Sequence, residues 1–245
     1  MVMEPGAWAV PREIDLKPYG TANLQATVFP TFPTGHVVPP LNTFGVPFNI
    51  PDKGKNYVTI GGYSSPTPIT IRVNVPGVRK VYTLMQAFGP WEGAGLCSLE
   101  FIAGDGTRQK FGLRGGWNIR DFFESGFARS INNTTTRPAF ELIGRGGAYT
   151  SNTTNGPRGY YDFDEQEYTL DDAFANQSLD SIVIDAPGAG SRGTPFLIGL
   201  TVQTAEPPPF SFFSGIYSWL LPAGVALVAA AIGVIVAIRR RVPVS

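Results

Sequence analysis

The chain has almost nothing from which to build a histidine- or cysteine-based site. It holds one His, His36, and one Cys, Cys97, in 245 residues. A lone thiol makes no internal disulfide. In the apolar context LCSLEF it reads as a small buried residue, with no His near it in sequence to activate it. His36 lies in the Pro-rich stretch PTGHVVPP, so any histidine acid–base or triad chemistry rests on that one loop residue. Metal centres built on several His or Cys are excluded by count. Net charge is absent too, with 19 basic against 19 acidic residues. Three of the basic residues follow the last apolar stretch and none of the acidic ones do, which leaves the preceding part at −3. That is no electrostatic footprint for nucleic acid.

Charge vanishes altogether from one segment near the end. From Trp219 to Ile238 all 20 residues are apolar, Gly or Pro. As a helix they span roughly 30 Å, the thickness of a bilayer's hydrocarbon core. Residues 218–238 are therefore expected to form a transmembrane helix. Pro222 falls in its first turn, Tyr217 and Trp219 suit an interfacial aromatic belt, and Arg239, Arg240 and Arg241 mark the cytoplasmic side in a short basic tail, 239–245. Ala229, Gly233 and Ala237 share one face, a possible small-residue contact for a homo-oligomer. With the arginines inside, everything before them is extracytoplasmic. MVMEPGAWAV at the start lacks the basic opening and apolar run of an export signal, so this orientation expects such a signal further upstream. A tail-anchored domain in the cytoplasm is the other arrangement, and it breaks the charge rule.

What is plentiful is aromatic and turn-forming material: 17 Phe, 9 Tyr and 4 Trp for a core, 29 Gly and 22 Pro for turns. Residues 1–40 are Pro-rich. Strands follow, recognised by period-2 alternation: Val58–Ile60, Ile69–Val75 and Val81–Phe88. CSLEFIAG-DG-TRQKFGL reads as a β-hairpin turning at Asp105-Gly106. Pro138–Gly144, Ser181–Ala186 and Pro195–Thr204 supply further strands. Short helices are expected within Trp117–Ser125, capped by Asn118, and within Leu170–Leu179 after Asp171. The predicted fold is an all-β sandwich or jelly roll over residues 41–204, then a Pro-rich stalk, 205–217, then the helix.

FGVPFNI (Phe44–Ile50), ITIRVNVPGVRKVYTLMQAF, LEFIAGDGTRQKFGL, GGWNIRDF and LDSIVIDA follow one another, and the last strand ends in LTV. This order resembles galactose-binding-like β-sandwich modules, with the resemblance running from about residue 40 to 204. It implies a jelly roll that binds glycans at loops on one edge, and in many such modules a structural calcium ion.

Candidate ligand contacts are Trp91 in GPWEGAG, Trp117 in GGWNIRD, Arg120, Tyr160 and Tyr161. Indole and phenol faces stack on sugar rings. Arg114, Arg120 and Arg145 suit hydroxyls or carboxylates, or else internal ion pairs. YYDFDEQEY (160–168) carries the acidic cluster: Asp162, Asp164 and Glu165 as calcium ligands, or a solvated loop with its aromatics packed inward. Sequons stand at Asn132, Asn133, Asn152 and Asn176, compatible with a glycoprotein. The functional expectation is non-catalytic: a single-pass, membrane-anchored, cell-surface sandwich that binds a glycan or a surface protein through edge loops. A structural subunit of a membrane complex is the alternative, and a glycoside-active enzyme using paired carboxylates a lesser one.

Overall fold

The computed structural model describes residues 10–23, 32–41, 44–52, 54–61, 67–122, 127–143, 149–150, 160–187 and 192–204. The expected stalk, helix and basic tail, and Asn152 and Arg145, lie outside these residues. Among the described residues no helix is long and apolar enough to cross a membrane. The chain is all-β, with strands β1 (Val10–Glu13), β2 (Gly35–Val37), β3 (Phe48–Ile50), β4 (Val58–Thr59), β5 (Ile69–Pro76), β6 (Val78–Phe88) and β7 (Gly95–Ala103) in its first half. The second half adds β8 (Arg108–Arg114), β9 (Thr136–Ile143), β10 (Tyr149–Thr150), β11 (Tyr160–Thr169), β12 (Ser178–Asp185) and β13 (Thr194–Thr204). All pairings between these strands are antiparallel.

Two sheets make a sandwich-like body. A seven-stranded sheet runs β1-β13-β6-β11-β9-β10, with β4 also on β13, and a four-stranded sheet runs β5-β12-β7-β8. Alternation explains which faces meet. β5 is buried and exposed by turns along its whole length, so Ile69, Ile71, Val73 and Val75 enter the core while Thr70, Arg72 and Asn74 stay outside. Leu99, Phe101, Leu179, Ile182 and Ile184 of the small sheet join Val81, Met85, Leu197, Leu200 and Val202 of the large one in a single apolar cluster. The hairpin at Asp105-Gly106 forms as expected. Gly106 takes a positive φ of 87°, and the Asp105 carboxylate accepts from the Thr107 amide at 2.9 Å. That bond holds the Asp105 carboxyl below the usual carboxylate range.

The large sheet differs from a simple sandwich layer, because its other face is covered as well. β6 and β13 are buried along most of their length, and the residues of β6, β11 and β13 on this other face, Tyr82, Leu84, Tyr161, Phe163, Phe196 and Ile198, form a second cluster. Phe32, Val46, Phe48 and Ile50, from the β2–β3 region, lie over it. Phe48 packs where β13 has no side chain. A Cβ on Gly199 would stand 2.8 Å from the Phe48 ring, and the Thr201 hydroxyl donates to the Pro47 carbonyl at 2.6 Å. Part of the Pro-rich segment 1–40, with Phe32 and β2, is thus packed with β3 over the sheet. His36 belongs to this layer too. It lies in β2, and its Nδ1 contacts Glu13 Oε1 of β1 at 2.5 Å.

Helical content is less than expected. Trp117–Phe122, the described part of the first expected helix, forms a turn and isolated bridges at Ile119 and Asp121. The second shrinks to a 3-10 turn, Asp172–Asn176, after Asp171. Gly199→Ala is expected to lower stability by about 1–3 kcal/mol by forcing Phe48 off the sheet. Urea unfolding, read by tryptophan emission, measures it.

Candidate functional site

The acidic run proves to be a strand rather than a solvated loop. It becomes β11, where Asp164 and Glu165 are fully buried. The reason lies in the neighbouring segment. The β6–β11 register, Leu84 against Glu165, would bring Ala87 opposite Asp162 if the ladder continued. Instead Arg120–Phe122 is inserted between them. Ala87 N donates to Arg120 O at 3.4 Å, Phe122 N to Ala87 O at 3.1 Å, and Asp162 N to Phe122 O at 2.8 Å. Arg120 is thereby aimed at the carboxylates of β11. Its Nε and Nη2 donate to the two oxygens of Asp164 at 2.9 and 2.7 Å, and its Nη1 lies 2.9 Å from Asp162 Oδ2. This bidentate fork is the geometry guanidinium provides and ammonium does not. One step along, Gln166 Nε2 donates to the Met85 carbonyl at 2.7 Å and its Oε1 accepts from Thr83 at 2.6 Å, closing a buried polar row.

Three expectations change as a result. Arg120, with only 15% of its side chain exposed, is committed to Asp164 and is not a ligand contact. Tyr161 is buried against Phe122, ring centroids 5.6 Å apart, so its face is not offered to a sugar. Asp162, Asp164 and Glu165 do not fit a calcium ion. The guanidinium already supplies the positive charge and takes both oxygens of Asp164, while Glu165 points to the opposite face of the strand, its Oε1 accepting from Phe44 N at 3.4 Å. Among the described residues no group of three or more His, Cys, Asp or Glu side chains comes together so that it could hold a metal ion. Tyr160 opens β11 opposite Ile143, and its side chain lies outside the description.

The tryptophans are placed differently. Trp91 is 62% exposed and Trp117 53%, and both stand on loops at the same end of the sandwich. Those loops are knitted by backbone bonds: Gly93 N to Gly115 O at 2.8 Å, Ala94 N to Trp91 O at 3.1 Å, Ala128 N to Pro90 O at 2.8 Å and Asn132 N to Trp117 O at 2.9 Å. Gly115 is required here, because a Cβ on it would fall 2.3 Å from the Trp91 carbonyl oxygen. Beside Trp91 opens a cleft of about 430 Å³ lined by Trp91, Glu92, Gly93, Ala94 and Arg192. Arg192 was not recognisable from sequence. It reaches Trp91 because β6 and β13 pair Phe88 with Thr194, and the Trp91 amide then donates to the Arg192 carbonyl at 3.2 Å. Exposed Phe127 also stands at this end, its ring 3.5 Å from where a Cβ on Gly89 would lie.

Two expected glycosylation positions take part in holding this end. Asn133 Oδ1 accepts from the amides of Thr135 and Thr136 at 2.8 and 2.7 Å, and its Nδ2 donates to the Trp117 carbonyl at 2.9 Å. Asn132 Nδ2 donates to Gly116 O at 2.8 Å. Asn176 ends the 3-10 turn, exposed. Cys97 is buried in β7, and burial pushes its thiol well above the ordinary range, as its apolar context implied. No family model matches the chain, and no curated protein matches it in sequence.

Arg120→Met is expected to cost about 3–5 kcal/mol, because it strands a buried Asp164 charge. The double change with Asp164→Leu recovers most of that loss, and chemical denaturation of the pair checks it. Glu141, opposite Asp162 on β9, has its pKa raised by burial against the lowering pull of Arg120. The folded protein holds that proton to higher pH than the unfolded chain, so its contribution makes stability fall as pH rises between the two values. Glu141→Gln removes this slope, measurable as the denaturation midpoint from about pH 4 to about pH 7.

Proposed function

We propose that this chain is a non-catalytic, glycan-binding β-sandwich of the galactose-binding-like jelly-roll type, held at a cell surface by its apolar segment 218–238. The pairing of the first strand with the last, and a chain that repeatedly passes between the two sheets, support the jelly-roll assignment. One observation carries the binding reading: Trp91 exposes most of its surface beside an open cleft, on a loop braced by neighbouring backbone. An indole of about this exposure costs hydrophobic free energy unless something covers it, and a pyranose ring's apolar face is flat enough to do so. Anchoring by the apolar run and Arg239–Arg241 rests on length and charge asymmetry in the sequence.

A structural or assembly role is the second reading. Trp91, Trp117 and Phe127 put three large exposed apolar side chains on one end, as protein interfaces do. Binding of the full-length chain to a glycan array separates the two. It should be held in a detergent without a sugar head group. Saturable binding to a glycan class, reduced at least about tenfold by Trp91→Ala, is the expected result. A well-folded protein that binds no glycan, and that crosslinks in membranes to one partner protein through this end, favours the second reading.

A further inference from the structure

Charge at the cleft narrows the ligand. Arg192 lines it, is exposed, and among the described residues its guanidinium makes no hydrogen bond or ion pair. A second guanidinium stands behind the wall. Arg114 Nε donates to the Gly93 carbonyl at 2.7 Å, and its Nη2 is 3.3 Å from where a Cβ on Gly93 would be. Neither Arg192 nor Arg114 has a carboxylate within ion-pair distance among the described residues. Among the described lining residues Glu92 alone is acidic, and its Oε1 accepts from the Ser130 hydroxyl at 3.5 Å. Among the described residues, Arg192 and Arg114 against Glu92 leave one positive charge in excess around a cleft that already holds an exposed indole. In the described residues of a chain with equal numbers of acidic and basic side chains overall, this pairing of indole with unneutralised guanidinium is a local departure from the balance.

We propose that the Trp91–Arg192 cleft binds acidic saccharides, sugars that carry a carboxylate or sulfate. The indole lies under the apolar face of the ring, and Arg192 donates its paired N–H groups to the anion in the planar fork that guanidinium offers carboxylates and sulfates alike. Arg114, whose Nε donates to the Gly93 carbonyl and which is not among the described lining residues, adds field without touching the ligand. The open cleft admits an internal residue of a longer chain as readily as an end. This inference rests on the reading of the loop end as a glycan site, and it specifies the class of glycan.

The test uses the full-length chain in sugar-free detergent against matched pairs: oligogalacturonate and its methyl ester, a sialoside and its methyl ester, a sulfated oligosaccharide and its desulfated form. The expected result is that the charged member of a pair binds at least about tenfold more tightly. That advantage should shrink as salt is raised. Arg192→Gln should abolish it while leaving the uncharged member's affinity unchanged, whereas Trp91→Ala weakens both. Both positions are exposed, so unchanged thermal unfolding of the variants confirms that they fold. Equal binding within every pair, or a charge preference that survives Arg192→Gln, overturns the acidic-saccharide inference and leaves the glycan reading standing. Absence of binding to every member of every pair removes both.

Discussion

A fully buried carboxylate in a β-strand has to be compensated, and at Asp164 the compensation is Arg120. Much of the loop end depends on that pair. For Arg120 to reach Asp164, its segment has to enter between β6 and β11, and the hydrogen bonds from Ala87, Phe122 and Asp162 satisfy the backbone groups that the parting strands leave behind. Entering there also sets the direction of the chain on either side of it. The turn at Gly116–Asn118 is carried outward with Trp117, and the Ala128 amide donates to the Pro90 carbonyl. The loop that bears Trp91 is thus braced by the backbone of these neighbouring segments.

The second constraint is the double burial of the large sheet. An antiparallel sheet commonly leaves one face to water. Here β6 and β13 are apolar on both faces, and the exposed cost is met by Phe48 and its neighbours settling on Gly199. The thin middle of β13 and the thick aromatic layer above it are two halves of one packing solution. A rigid central sheet gives the loops at its end a fixed base, which is what a pre-organised binding cleft needs.

Legibility in the sequence followed the range of the forces involved. β5, the β7–β8 hairpin and β12 were readable because alternation and an Asp-Gly turn are local signals. The acidic strand β11 was misread as a loop because four acidic residues within six positions look solvated, and only a distant Arg120 makes the burial of Asp164 tolerable. The described part of the helix expected within Trp117–Ser125, Trp117–Phe122, is not helical for the same reason: Asn118 instead accepts from the Arg114 amide at 2.7 Å, and Asp121 bridges to Ala87 of β6. Trp91 and Trp117 were picked out by residue type and by their glycine-rich surroundings, while Arg192, in an unremarkable Ser-Arg-Gly, had no local mark at all.

Sequence alone determined the all-β character, the turn between β7 and β8, the burial of the lone thiol and the apolar run near the end, since each follows from residues within one short window. Tertiary structure decided which polar residues became internal and which aromatics stayed outside. Arg120 and Tyr161, both reasonable ligand contacts by type, went inward because their partners Asp164 and Phe122 stand on segments distant in the chain. Trp91 stayed outward on a loop whose backbone packs against Gly115, and Arg192 joined it because two strands distant in the chain pair in one particular register, Phe88 against Thr194. Register is a property of the whole sheet, and no window of sequence contains it.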